Sequence, residues 1–577
     1  MTNNAPGSED DGVIKIQNHE EKIQHERRPT SDSSQTLPDE VHENVHGHEV
    51  PTAYRSKSRA QSTRSSVRQE AVKVPRAERR GLLARFCMMA EVNDPYAYNR
   101  SKKWTITFII ALAGAAAPMG SSLVLPALNS ISLTFGATKT VTNLSIALYM
   151  LSMSIFPLWW SSFSETLGRR TIYIVSFVLF CLFNALAGIS TNIGMFIVFR
   201  CLSGGAAASV QAVGAGTVAD CWEVKERGLA MGIFYLGPLC GPLLAPVIGG
   251  ALTHGLGWRS TQWFLSIFGA IICVVLIFCL PETLRNQRSL PTALPVESAA
   301  QSPPIDDKVS SSQPALVRTV TSQSMQLKSR RYWAMFRRAF LDPLRIVLYI
   351  QFPAVACCVY YSTVTFSSLY VLNISIEQTF SHSPYGYSSL IIGLLYLPNS
   401  SGYFLASIIG GRWVDKIMRR EAKKAGRYDE NGKLRFRPED RMKENAWIGA
   451  AMWPCALIWY GWAAQYHLNI AAPMIANFFF GVGSMIIFNM ATTMLTEFMP
   501  KRASNGVALN NFCRNIFSCV GTIITSPLVD AIGNGWLFTG IAAIALISGF
   551  AVISAMKRYG DKWRVGMDER LWRVMGD

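Results

Sequence analysis

The chain has 577 residues, half of them hydrophobic and only 16% charged. An average soluble domain carries roughly 25% charged residues, so a string of soluble domains is a poor fit. The formal charge of +17 admits either nucleic acid or an anionic membrane surface as partner, and the placement of the 55 Lys and Arg residues decides between them. Twelve cysteines include no CxxC pair and mostly sit in apolar runs, where a thiol behaves as a small hydrophobe, so no disulfide framework or zinc site is indicated.

Residues 1–103 read as a cytosolic tail, polar and rich in Ser, Glu and His up to about residue 76, with the composition of a disordered segment, and basic near the membrane. His19, His25, His42, His46 and His48 are irregularly spaced in that tail and give no metal site; no cofactor is implied anywhere in the chain. The tail has no apolar run of the signal-peptide kind, so the N-terminus is expected to stay in the cytosol.

A helix crosses the hydrocarbon core with about 20 apolar residues. Six such runs follow at 104–128, 142–160, 171–189, 193–219, 229–253 and 261–280. Residues 281–345 form a linker rich in Ser, Pro, Gln and basic residues, and six more runs follow at 346–372, 388–410, 446–464, 470–496, 507–529 and 536–555. The expected fold is therefore an all-α integral membrane protein of twelve helices in two bundles, 104–280 and 346–556, ending in a cytosolic tail, 557–577.

Charge placement supports the set. With an even number of spans and a cytosolic start, only Lys139 and Arg259 fall in outside loops and only Arg200 and Arg514 within spans, while every other Lys and Arg lies on the cytosolic side. That is the positive-inside asymmetry, which a nucleic-acid-binding protein has no reason to show. Segments 79–89, 330–341 and 562–575 mix basic with bulky apolar residues and suit the acidic inner leaflet, a solvated linker being the alternative.

The two halves carry an internal repeat. After the second span the chain reads Ser161-Ser-Phe-Ser-Glu165-Thr-Leu-Gly168-Arg169-Arg170, and after the eighth it reads Gly411-Arg-Trp-Val-Asp415-Lys416-Ile-Met-Arg419-Arg420. Each places an acidic residue four positions before an Arg pair, in equivalent loops. An acidic side chain at a helix end can pair with basic groups or helix N-termini there, while the Arg pair anchors the loop to acidic lipid, a clasp that can hold one conformation and release it in another. This pattern resembles the loop motif of the major facilitator superfamily, with Glu165 at its Asp position and Thr166 where the family carries Arg. The resemblance implies two six-helix bundles around a central cavity, opened to either side in turn.

In the fifth span, Gly232, Gly241, Pro246, Gly249 and Gly250 resemble the antiporter signature of that superfamily, with Ala245 at one glycine position, and Gly237, Pro238 and Pro242 add further breaks. Proline removes backbone hydrogen bonds, and small residues admit close helix approach, so this run predicts a kinked, tightly packed helix. Arg200-Cys-Leu-Ser-Gly204-Gly205, Pro281-Glu282-Thr283 and Asn510-Asn511-Phe-Cys-Arg514 are similar to the fungal twelve-span drug:proton antiporters, and Pro398-Asn399-Ser400 to their quinidine-resistance, polyamine and dityrosine exporter branch. The resemblance implies export of small organic molecules in exchange for protons, at the plasma membrane or alternatively the vacuolar one, by a monomer with no nucleic-acid partner.

The spans contain no Asp, Glu, Lys or His, and their two charges come one from each half. Burying an Arg costs at least about 2.5 kcal/mol on insertion scales, so each is expected to face a wet cavity or a polar partner. We place Arg200 and Arg514 on the cavity with the neutral groups of Asn143, Gln211, Gln351, Asn399, Asn489, Asn510 and Asn511 and the aromatic surfaces of Tyr149, Tyr235, Tyr360, Tyr361 and Trp453. Such a cavity favours neutral or anionic amphiphiles over bare polycations. Because arginine does not readily release a proton, coupling falls to groups near the membrane edges. Asp220 and Glu165 are the inner candidates, Asp530, Glu377 and His254 the outer ones, with Asp220 first. A membrane enzyme lacks any visible machinery here; a non-transporting sensor on the same fold is the alternative function.

Overall fold

The computed structural model describes residues 73–284, 342–428, 434, 437–498 and 503–575. The tail before residue 73, with its five histidines, and most of the linker, with segment 330–341, lie outside the described residues. Among the described residues the chain is helical, with isolated bridges at Lys73–Val92 and Tyr428–Leu434. The first bundle comprises α1 (Arg100–Phe135), α2 (Lys139–Leu167), α3 (Arg169–Gly188), α4 (Ile193–Cys221), α5 (Val224–Leu256) and α6 (Arg259–Cys279). The second comprises α7 (Pro353–Phe380), α8 (Ser389–Leu395 continuing as Leu397–Lys424), α9 (Glu444–Gln465), α10 (Ala471–Phe498), α11 (503–532) and α12 (534–575). The last two run on without a loop, separated by Gly533, whose φ of 75° breaks the helix.

Local chemistry sets the ends. Asn192 caps α4 by accepting the Met195 N–H at 2.8 Å. Within α1, Pro126 cannot donate, and the helix gives way there to a 3-10 turn at Leu125–Ala127 before resuming as Leu128–Phe135. Proline is tolerated at the first helical position, and Pro353 starts α7. Gln351 therefore falls in the preceding 3-10 turn Asp342–Gln351 and is exposed, so the helix begins later than the expected span from residue 346 and Gln351 precedes it. Helix α8 continues past residue 410 to Lys424, and α12 continues through the stretch read as a tail.

The small residues of α5 form two packing stripes. A Cβ on Gly237 would overlap the Ala111 carbonyl, one on Gly241 would stand 3.0 Å from the Met119 nitrogen, and one on Gly249 would overlap the Leu123 carbonyl. These positions, with buried Ala245, recur every four residues, so they lie on one face and seat the backbone of α1 against α5. A second stripe meets the other bundle: a Cβ on Gly250 would stand 3.1 Å from Gly393 Cα, and Gly393 lies on the Pro246 carbonyl. Helices α5 and α8 thus touch backbone to backbone across the two halves. On the outside of the bundles, Ile267, Ile271 and Val274 of α6 and Ile544 and Ile547 of α12 are exposed, an apolar belt suited to lipid tails.

The segment before α1 is built onto the first bundle. Met88 N–H donates to the Phe278 carbonyl at 2.8 Å, Leu82 N–H to Thr171 Oγ1 at 3.2 Å, and Arg80 Nε pairs with the buried Glu91 carboxylate at 2.6 Å. Phe86 and Met88 remain exposed beside the ends of α3 and α6.

Gly237→Val is expected to prevent recovery of a folded, monodisperse protein, since overpacking alone costs about 1–3 kcal/mol and here the neighbour is backbone. Gly232→Ala, with nothing within 4 Å of its Cβ, should elute and melt like the parent in size-exclusion chromatography and thermal unfolding.

Candidate transport site and gates

The inner and outer ends are those that the charge pattern assigns. At the centre, Arg514 of α11 lies 4.0 Å from the Phe366 ring centroid and 5.0 Å from that of Phe488, on α7 and α10. Stacking on ring faces offsets part of the desolvation cost of a guanidinium. Tyr235 of α5, Tyr370 of α7 and Tyr403 of α8 lie within electrostatic reach of the same charge. Tyr235 keeps nearly half its surface open. Tyr370 Oη meets Ser121 Oγ of α1 at 3.2 Å, tying this cluster to the first bundle. One turn before Arg514, the buried Oδ1 of Asn510 finds no hydrogen-bond partner among the described residues.

Arg200 of α4 is fully buried, its guanidinium 4.3 Å above the Tyr149 ring, and none of its three guanidinium nitrogens finds an acceptor among the described residues. Three turns along α4, the buried Oε1 of Gln211 is likewise unpartnered. A buried cation without an acceptor is costly by several kcal/mol, a condition usually relieved by a ligand group or water. Tyr149 itself is held in place by donating to the Ala117 carbonyl at 3.0 Å.

At the inner end, a clamp joins α3, α4 and α6. Arg169 Nε donates to Asp220 at 3.1 Å and its Nη1 to Ser164 Oγ at 2.6 Å. The Glu282 carboxylate accepts the N–H groups of Arg169 at 3.0 Å, Arg170 at 3.2 Å, and Thr283 and Leu284 at 2.9 Å, covering the start of α3. Arg170 does the reverse: it donates to the carbonyls of Leu276, Ile277 and Leu280 at the end of α6 and to Leu82 and Leu83 of the preceding segment. Glu282 and the Arg170 guanidinium thus sit on helix ends whose dipoles they complement. Gly168, at φ 93°, leaves no room for a Cβ beside Glu282. Burial pushes the Glu282 carboxyl above its ordinary value, although the four backbone donors pull the other way.

At the outer end the halves are joined. Asn143 of α2 donates to Ser526 of α11 at 2.9 Å, the Asn129 N–H of α1 donates to Glu377 of α7 at 3.0 Å, and Lys139 stands 3.8 Å from Asp530. Ser154 reaches the Phe512 carbonyl at 3.2 Å nearer the middle. Toward the inner end, between α8 and α10, lies a cavity of about 260 Å³ whose lining includes Ser407, Trp413, Asn489 and Thr493. The described polar contacts across the seam therefore close the outer side.

Several expected site residues are placed elsewhere. Tyr361 is buried inside the second bundle, where a Cβ on Gly549 would lie 2.8 Å from its Oη. Trp453 packs edge-on against Phe480, and Asn399 lies against Gly481 of α10. Tyr360 is exposed, Asn511 is half-buried, and Asn143 is engaged in the outer seam. Glu165 is exposed, so the acidic partner of Arg169 is Asp220 rather than the repeat's own acid. In the second copy the side chain of Asp415 lies outside the described residues, Lys416 and Arg419 are exposed, and Arg420 pairs with Glu444 at 2.8 Å on the surface, where ion pairs are worth little. His254 is exposed. Phe366, Phe488, Tyr370 and Tyr403 were missed, although the i, i+4 spacing of Phe366 and Tyr370 on an apolar helix marks one face.

The sequence matches the Major Facilitator Superfamily over residues 110–522. It is 36% identical to the MFS antiporter QDR3 of Candida albicans, covering 84% of this chain and 82% of that protein. It is 32% identical to quinidine resistance protein 3 of Saccharomyces cerevisiae, covering 90% of this chain and 91% of that protein. The structure resembles a D-xylose-proton symporter with a TM-score of 0.53 at 14% identity, covering 78% of this chain and 97% of that one, which speaks to fold alone. The chain belongs to the major facilitator superfamily, and it is a multi-pass membrane efflux transporter related to fungal drug antiporters of the quinidine-resistance kind.

Glu282→Ala should strand two N–H groups at the start of α3 and those of Thr283 and Leu284, and lower the melting temperature of detergent-solubilised protein by an amount equivalent to about 2 kcal/mol or more. An unchanged melting temperature would remove the clamp from the account.

Proposed function

We propose that the protein exports neutral or anionic amphiphilic molecules from the cytosol in exchange for protons, by rocking of its two bundles around a site centred on Arg200 and Arg514. The observation that carries the reading is a pair of membrane-buried guanidiniums, one in each half, each stacked on an aromatic ring and neither paired with a described carboxylate. A carboxylate or polarised oxygen of the cargo would bind the unpartnered nitrogens of Arg200, while Asn510 and Gln211 supply neutral hydrogen bonds and Phe366, Phe488, Tyr235, Tyr370 and Tyr403 an apolar, ring-lined wall. The joined outer seam corresponds to a state closed on the outer side, which would receive cargo from the inner side. The working form is a monomer in the plasma membrane with both termini in the cytosol and acidic inner-leaflet lipids against Arg79, Arg85 and the exposed Phe86 and Met88.

A cargo screen in proteoliposomes with an imposed pH gradient tests this. Arg200→Ala and Arg514→Ala should each lower efflux of an anionic cargo at least about tenfold, the loss of one charge-assisted hydrogen bond of about 1.5–3 kcal/mol, at unchanged protein stability. Export of spermine that is robust and undiminished in both variants would overturn the assignment.

For coupling, Asp220 is the inner proton acceptor, because its release from Arg169 would loosen the clamp at the start of α3. Asp220→Asn should uncouple cargo movement from proton flux; full cargo-driven proton flux in that variant would rule Asp220 out.

A further inference from the structure

The outer seam contains a group that the transport reading does not use. Glu377 lies near the end of α7 and is only 6% exposed, the single acidic residue among the described buried ones that belongs to a membrane-crossing helix. Its recorded hydrogen bond is one backbone N–H, that of Asn129, donated from the opposite half at 3.0 Å. The nearest cation, Lys139, directs its ammonium to Asp530 at 3.8 Å, and Asp530 also accepts from Gln378 at 2.7 Å. The other titratable groups around it are Tyr396 at the α8 break, which donates to the Asn373 carbonyl, Tyr460 of α9, which meets Ser375, and His382 just beyond α7, which meets the Gln378 carbonyl. Each of these is engaged elsewhere, so the carboxylate faces a seam that has no counter-ion dedicated to it.

We infer that Glu377 is the proton-responsive latch of the outer gate: it binds one proton from the outside solution as the two halves close over it and returns that proton when they part. Closing removes the side chain from water, and a low-dielectric site accepts a neutral carboxylic acid far more readily than a carboxylate. Opening restores water to it. The two equilibria are therefore linked, and the closed population must rise as external pH falls. The neutral acid keeps a carbonyl oxygen to accept the Asn129 N–H, so protonation leaves the cross-seam bond in place. No other co-reactant is needed, since the proton is the only species exchanged. This inference rests on the reading that the outer seam opens during transport, and it is independent of which group carries protons at the inner end.

Spin labels at Leu133→Cys and Ile532→Cys, exposed positions on the two sides of the outer end, report the separation of the halves in nanodiscs by double electron–electron resonance. In the otherwise unaltered chain, the ratio of closed to open populations should fall with rising pH between about 5.5 and 8, by no more than about tenfold per pH unit, the limit for one proton. Glu377→Gln should stay closed across the range, and Glu377→Asp should retain the slope. Asp530→Asn should retain it as well. A slope preserved in Glu377→Gln, or one lost in Asp530→Asn while Glu377→Gln behaves like the parent, overturns the inference. Open and closed populations that are both present but change with pH in neither the parent nor any variant also overturn it. If the seam stays closed under all conditions even with cargo at saturation, alternating access at this end fails instead, which separates the two readings.

Discussion

A bilayer interior gives no solvation to charge, and the architecture follows from that constraint. The described helices satisfy the backbone internally, and the few ionic groups within their spans each occupy a place where something replaces water. Arg514 has the faces of Phe366 and Phe488, and Arg200 that of Tyr149. Glu377 has a backbone N–H from the other half. The same constraint explains why Arg170 and Glu282 are placed at helix ends, where the unpaired N–H groups of α3 and carbonyl groups of α6 offer charge-matched partners that a mid-helix position cannot.

Helix α5 ties the packing to the mechanism. One of its faces is stripped of side chains so that α1 lies on its backbone. The adjoining stripe meets Gly393 of α8 in the other bundle through Gly250 and Pro246. A contact made of backbone and small groups can slide or separate without repacking large side chains, whereas the interlocked rings of the bundle cores cannot. The seam is therefore where relative motion of the halves has the least steric cost, and the polar pairs Asn143–Ser526 and Lys139–Asp530 cross it at the outer end.

Much of this was legible in the residues. The order of the bundle helices, the two arginines within them and the packing role of the α5 glycines follow from hydropathy, charge and residue size. What escaped depends on helix phase and on small breaks. Pro353 sets the start of α7, which leaves Gln351 in the preceding 3-10 turn, and neighbouring Tyr360 and Tyr361 fall on different faces that a list of polar residues does not separate. The repeat suggested an acid free to pair at a helix end and an Arg pair that anchors the loop to acidic lipid, whereas Arg169 and Arg170 are buried. In the fold Glu165 points to solvent, because Gly168 turns the chain so that Arg169 meets Asp220 and the N–H groups meet Glu282, more than a hundred residues away. Long-range partners of that kind leave no periodic trace in a single sequence.

The central claim is that the outer seam opens and closes in every transport cycle around the arginine site. A disulfide across it tests this most directly. With Asn143→Cys and Ser526→Cys, whose native side chains meet at 2.9 Å, oxidation should stop cargo efflux from proteoliposomes and reduction should restore it. Efflux that continues at the same rate with the cross-link fully formed would contradict the account.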